Sequence, residues 1–101
     1  MEITVRFDGL DSSGSALGFV VDRCRSVLGR FSSHLRGVRL VFAEDGGRQR
    51  QVRCRAAVHL ESGDHVLVTR VCNTPYSAAG KALRSVRSVV AQKVGRGARA
   101  R

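Results

Sequence analysis

From Gly37 to Leu60 the chain reads Gly-Val-Arg-Leu-Val-Phe-Ala-Glu, then Asp-Gly-Gly, then Arg-Gln-Arg-Gln-Val-Arg-Cys-Arg-Ala-Ala-Val-His-Leu. This stretch predicts a β-hairpin. Val38, Leu40 and Phe42 alternate with Arg39, Val41 and Ala43, which is the two-residue period of a strand. Asp45, Gly46 and Gly47 tolerate the positive φ that a tight hairpin turn requires. On the return strand Val52, Cys54, Ala56, Val58 and Leu60 share one face, and Arg53, Arg55, Ala57 and His59 share the other. One face can be buried while the other carries cations in water. A chain containing such a hairpin needs at least one further layer to cover the apolar side.

The chain has 101 residues and is 43% hydrophobic, enough for one domain with a modest core. Its charge is unusual: 18 Lys and Arg against 8 Asp and Glu give a formal net charge of +10. Lysine occurs only at 81 and 93, so arginine dominates. A planar guanidinium suits bidentate phosphate contacts. A small, strongly basic domain fits a polyanionic partner, and nucleic acid is the commonest one. Cysteines stand at 24, 54 and 72, with no Cys-x-x-Cys pair and no zinc spacing. Each lies in an apolar periodic stretch, so they read as buried thiols in a reducing compartment. No secretory signal is visible, and no apolar run approaches the roughly 18 residues of a membrane span. The expectation is a cytoplasmic protein with no membrane association.

Glu2 to Phe7 alternates as a first strand. Asp8 to Gly14 is a loop in which Asp11, Ser12 or Ser13 caps the following helix. That helix is expected from about Ser15 to Ser33, with Leu17, Val20, Val21, Cys24, Val27, Leu28 and Phe31 as its apolar stripe. Arg23 and Arg30 lie seven apart on one flank, and Arg25 lies on the other. After the hairpin, Glu61 to Asp64 forms a turn and His65 to Cys72 a strand. Its register is open: either Val66 and Val68 or Leu67 and Val71 face inward. Thr74 then caps a second helix with Pro75 at its first position. Tyr76, Ala79, Leu83, Val86, Val90 and Val94 make its stripe, and Lys81, Arg84 and Arg87 its outer side. Residues 95–101 lack periodicity and read as a mobile basic tail after a domain of residues 1–94.

The order β-α-β-β-β-α predicts an α+β two-layer sandwich: a four-stranded sheet with two helices packed on one face. A strand joined through a helix to the next strand implies a parallel pair, and the two hairpins that follow imply antiparallel ones.

No catalytic or metal site emerges, and the chain is not expected to be an enzyme or to carry a cofactor. His34, His59 and His65 are the only histidines. His59 and His65 flank one turn beside Asp64, but a catalytic metal wants three placed ligands. Cys54 and His59 point to opposite faces of one strand and cannot act as a nucleophile and its base. Gly46-Gly47 does not open a helix after a strand, which excludes both P-loop and dinucleotide fingerprints. A metal- or thiol-dependent enzyme using Cys54, Cys72 and the histidines is the reading that bound stoichiometric zinc would favour.

Three basic clusters stand out: Arg23 with Arg30, then Lys81, Arg84 and Arg87, and then Arg48, Arg50, Arg53 and Arg55. With both helices on one face, their outer sides form a broad cationic surface that can follow a phosphate backbone. Aromatic residues are scarce, and Phe7, Phe31 and Phe42 fall at core positions. Recognition of structured RNA by shape and phosphate therefore fits better than stacking on unpaired bases.

The ordered motifs resemble those of the ribosome hibernation-promoting factor and ribosome-associated inhibitor family, also called sigma-54 modulation proteins, in its short form. Gly14-Ser15-Ala16-Leu17-Gly18-Phe19-Val20 is similar to that family's first helix start, and Leu28-Gly29-Arg30-Phe31 before Val38-Arg39-Leu40 to its turn into the second strand. Arg53-Cys54-Arg55-Ala56 resembles an Arg-Cys segment of a short-chain branch. Val66-Leu67-Val68-Thr69 and Asn73-Thr74-Pro75-Tyr76 stand where the family has its last strand and last helix start. The resemblance covers residues 1 to about 94.

The resemblance implies a non-enzymatic stress factor. It would bind the small ribosomal subunit near the mRNA and tRNA channel, contact 16S-type rRNA and block translation while protecting idle ribosomes. The nucleic-acid-binding residues expected are Arg23, Arg30, Arg53, Arg55, Lys81, Arg84 and Arg87. Where the family often has Lys or Arg on the last helix, this chain has Ser85 and Ser88. Longer members carry a second, dimerising domain after a linker, and this chain is not expected to dimerise ribosomes by that route; free, it is expected to be a monomer. The alternative is a general module for structured RNA without ribosome specificity.

Overall fold

The computed structural model describes residues 1–10, 14–46 and 51–99, with side chains as far as Gly95. The expected capping residues Asp11, Ser12 and Ser13 lie outside the described residues, as do Gly47, Arg48 and Arg50 of the hairpin. The elements are β1 (Glu2–Asp8), α1 (Gly14–Leu28), a 3-10 segment (Gly29–His34), β2 (Leu35–Asp45), β3 (Gln51–Leu60), β4 (His65–Cys72) and α2 (Pro75–Arg99).

The sheet has the order β1-β2-β3-β4. β1 runs parallel to β2 and pairs Val5 with Leu40. β2 and β3 are antiparallel with Leu40 opposite Ala56, and β3 and β4 are antiparallel with Ala56 opposite Val68. This is the α+β sandwich that the element order predicts. The hairpin alternation holds: Val38, Leu40, Phe42, Val52, Cys54, Ala56, Val58 and Leu60 are all buried. The open register of β4 is settled by Val66, which is buried, and Val68, which packs against the core. Leu67 and Val71 point the other way and are exposed.

Ala16, Val20, Cys24 and Leu28 of α1 recur every four residues and are buried. α2 buries Ala78, Ala79, Ala82, Leu83, Val86 and Val90 over the same side of the sheet. Alanine at three of those positions lets the helix lie close to β3 and β4. The core includes no polar or charged side chain among the described residues.

Thr74 caps α2 as its sequence predicts: the Ser77 amide donates to Thr74 Oγ1 at 3.2 Å, satisfying one of the free donors of the first turn. In the β3–β4 turn Gly63 takes φ +94°, and its amide donates to the Leu60 carbonyl at 3.0 Å. Only glycine enters that conformation at little cost.

Four local expectations change. α1 ends at Leu28 and tightens into the 3-10 segment, because Gly29 disfavours continued α-helix and the chain must turn into β2. Leu17 is exposed and Ala16 is buried in its place, since the stripe runs through 16, 20, 24 and 28. Tyr76 is exposed rather than part of the α2 stripe. α2 continues through Gly95 to Arg99, where the sequence pattern predicts irregular chain.

Candidate nucleic-acid interface

The two helices present a cationic outer layer. Between Pro75 and Arg99 α2 contains no acidic residue. Lys81, Arg84 and Arg87 are exposed along it, because they alternate with the buried positions 82, 83, 86 and 90. A shallow concavity of about 490 Å³ is lined by Arg84, Arg87, Ser88, Ala91 and Gln92. On α1, Arg23 and Arg25 are exposed beside one acid, Asp22. Arg30 leaves the helix with the 3-10 segment, and its guanidinium lies 5.3 Å from the centre of the Phe31 ring. That contact holds the cation against an aromatic face while leaving it in water.

Sequence reasoning missed one cation of this layer. Arg70 has the inward parity of β4, but at this edge it reaches α2 instead of entering the core. Its Nη2 and Nε donate to Ser85 Oγ at 2.8 and 3.2 Å. A charge thus stands beside Ser85, one of the two helix positions where the resembled family often carries its own cation. The signal lay in the parity of β4, which was readable only once Val66 and Val68 were known to face inward.

Phe19 and Tyr76 form the second feature that the sequence hid. Both are exposed, and their rings meet edge to face with centres 4.9 Å apart. Phe19 lies near the start of α1 and Tyr76 in the first turn of α2, so the two helix N-termini lie side by side.

Of the hairpin arginines, the described Arg53 and Arg55 do not join the helical surface. They project from the opposite, uncovered face of the sheet, with Arg6 and Arg39. The seven expected contact residues therefore divide: Arg23, Arg30, Lys81, Arg84 and Arg87 on the helical side, Arg53 and Arg55 on the open side.

Cys24, Cys54 and Cys72 are free and buried. Burial pushes the Cys54 thiol up to about 12, with nearby Cys72 adding to the effect, and pushes Cys24 up to about 11. His59 and His65 are paired across β3 and β4 with ring centres 6.1 Å apart. No group of three metal-ligating side chains occurs among the described residues. No helix among them is long and apolar enough to cross a membrane.

No family model matches the chain, and no curated protein matches it in sequence. Solved structures do match its fold. A ribosomal subunit interface protein from Coxiella burnetii superposes with a TM-score of 0.81 at 12% identity, over 94% of this chain and 99% of that one. The N-terminal domain of Thermus thermophilus Protein Y superposes with a TM-score of 0.74 at 20% identity, over 89% of this chain and 96% of that one. The resemblance carried by the ordered sequence motifs thus holds in three dimensions, as a shared fold.

Proposed function

We propose that this chain is a ribosome-associated factor of the hibernation-promoting type. It acts in the cytoplasm as a monomer, without a catalytic site or cofactor. Its partner is the small ribosomal subunit, where it occupies the region of the mRNA and tRNA channel. Lys81, Arg84 and Arg87, with Arg23 and Arg30, contact 16S-type rRNA through its phosphates. Occupying that channel excludes mRNA and tRNA, so translation stops while the idle ribosome is protected.

The observation that carries this reading is the acid-free outer face of α2 on a fold shared with a ribosomal subunit interface protein. Guanidinium groups on a rigid helix position a protein on a phosphate backbone without reading bases. Structured RNA recognised by shape needs no more than this.

The test is co-sedimentation of the purified protein with ribosomes at low and moderate salt, with excess bulk tRNA as competitor. Retention at moderate salt against tRNA is the expected result. Loss to tRNA would leave only non-specific phosphate affinity from the +10 charge, and a general RNA-binding module would replace the ribosomal reading. Arg84→Glu with Arg87→Glu should abolish retention with the far-UV circular dichroism spectrum unchanged. Undiminished retention of that folded variant would remove α2 from the interface.

A further inference from the structure

The face of the sheet turned away from the helices is not a bland solvated surface. Arg6, Asp8, Arg39, Val41, Ala43, Arg53, Arg55 and Ala57 line a concave pocket of about 410 Å³ across β1, β2 and β3. The register explains its shape. Arg6 and Arg55 flank Val41 on either side, Ala57 lies opposite Arg39, and Ala43 lies opposite Arg53. Small side chains form the floor, and long cationic ones stand around it.

The cations differ in state. Arg6 is tied to Asp8 at 2.8 Å and Arg53 to Asp45 at 3.5 Å. Arg39 and Arg55 are exposed and make no ion pair among the described residues. They are diagonal neighbours on adjacent antiparallel strands, roughly 7–8 Å apart at the backbone. Counting the two carboxylates, the group keeps a net charge of +2, concentrated at those two guanidiniums.

We propose that this open sheet face is a second phosphate-binding surface, which takes the backbone of a single-stranded RNA segment while the helices hold structured RNA on the other side. The inference rests on the RNA-binding reading of the protein and adds a second, opposed contact. Two free guanidiniums suit successive phosphates of one strand, since each can hold a phosphate through two N–H donors. The paired Arg6 and Arg53 extend the positive field along the strand path. A small nucleotide fits less well. Ligand sites of that kind enclose most of the ligand, whereas this face is open, borders the exposed Leu67 and Val71, and offers, among the described residues, no buried polar group to fix a base.

The test uses the full chain and a fluorescein-labelled octamer of uridylate, followed by anisotropy over a salt series. In Arg84→Glu/Arg87→Glu protein the octamer should still bind. Adding Arg39→Gln and Arg55→Gln should then lower its affinity at least tenfold and reduce the slope of log K against log salt by about 1.4, the value for two lost single-strand phosphates. The amide resonances of Val41, Ala43 and Ala57 should move on addition of the octamer. An Arg36→Gln control, at an exposed cation outside the pocket, should leave the affinity unchanged.

Unchanged octamer binding in the Arg39/Arg55 variant, or shifts confined to α1 and α2, would overturn the proposal. Displacement of the octamer by ATP at equal phosphate concentration would also overturn it, in favour of a nucleotide site. If the octamer binds the sheet face while wild-type protein fails to co-sediment with ribosomes, only the ribosomal reading falls. If co-sedimentation holds and the sheet face binds nothing, only this inference falls.

Discussion

Arg70 on β4 and Ser85 on α2 are joined by two hydrogen bonds, both donated by the guanidinium to one hydroxyl oxygen. The bonds fix the end of a long side chain beside the helix and orient its charge along the cationic layer. A cation can thus be supplied to a helix position by the neighbouring strand, 15 residues away in sequence.

Arg70→Gln should weaken ribosome binding and make its salt dependence shallower by about one unit of slope, as for one lost phosphate contact. Ser85→Ala should have a smaller effect, because it frees the side chain without removing the charge. Co-sedimentation across a salt series measures both. Equal binding by Arg70→Gln and wild type would show that the pair only ties β4 to α2.

Burial sets the chemistry of the thiols. Cys54 and Cys24 should resist Ellman's reagent at pH 8 in the native protein and react at once in denaturant. The pH dependence has a definite sign. The unfolded thiol ionises near its ordinary value of 9.0, and folded Cys54 only near about 12. The unfolded chain therefore gives up its protons first. The stability these thiols contribute is complete below pH 9 and is lost as pH rises towards the folded values. Urea midpoints should fall progressively over that range, and less so in a Cys54→Ala variant.

Lys93 Nζ donates to Asp64 at 2.6 Å, so the last part of α2 is tied to the β3–β4 turn. That hydrogen bond, with one from the His65 amide, holds the Asp64 carboxyl below its ordinary 3.8. A depressed carboxyl stabilises the fold above its unfolded value, and the effect fades as pH falls through the folded one. Asp64→Asn should lower the melting temperature slightly at pH 7, and the difference from wild type should shrink steadily as pH falls below 3.8. A difference that does not shrink in acid would point to packing in the turn instead.

Two substitutions measure what holds α2 down. Leu83 is wholly buried, and Leu83→Ala should cost about 2–5 kcal/mol in urea unfolding. Thr74→Ala should cost about 1 kcal/mol through the lost cap. A domain of this size has roughly 5–15 kcal/mol to lose, so the first variant should be marginal at 37 °C and the second should not.

The hairpin at residues 37–60 was legible from the sequence because a two-residue period leaves only one way to bury it. The Thr74-Pro75 helix start was equally plain, since both residues act on the backbone next to them. The parallel and antiparallel pairings followed from the kind of each connection, a helical crossover or a hairpin. The sequence by itself therefore determined the elements, the layers and the sign of the surface.

Tertiary structure alone decided which side each charge occupies. Val66 and Leu67 are both apolar, and only packing beneath α2 selects Val66 for the core. That choice sends Arg70 towards Ser85 and leaves Leu67 in water. The apolar stripe of α2 likewise placed Tyr76 inward, whereas it is exposed and meets Phe19, which lay outside the α1 stripe, only because two helix starts converge. Local periodicity records burial within one element. How two elements approach depends on contacts between residues distant in sequence, and here those contacts divide a single excess of arginine into two opposed surfaces.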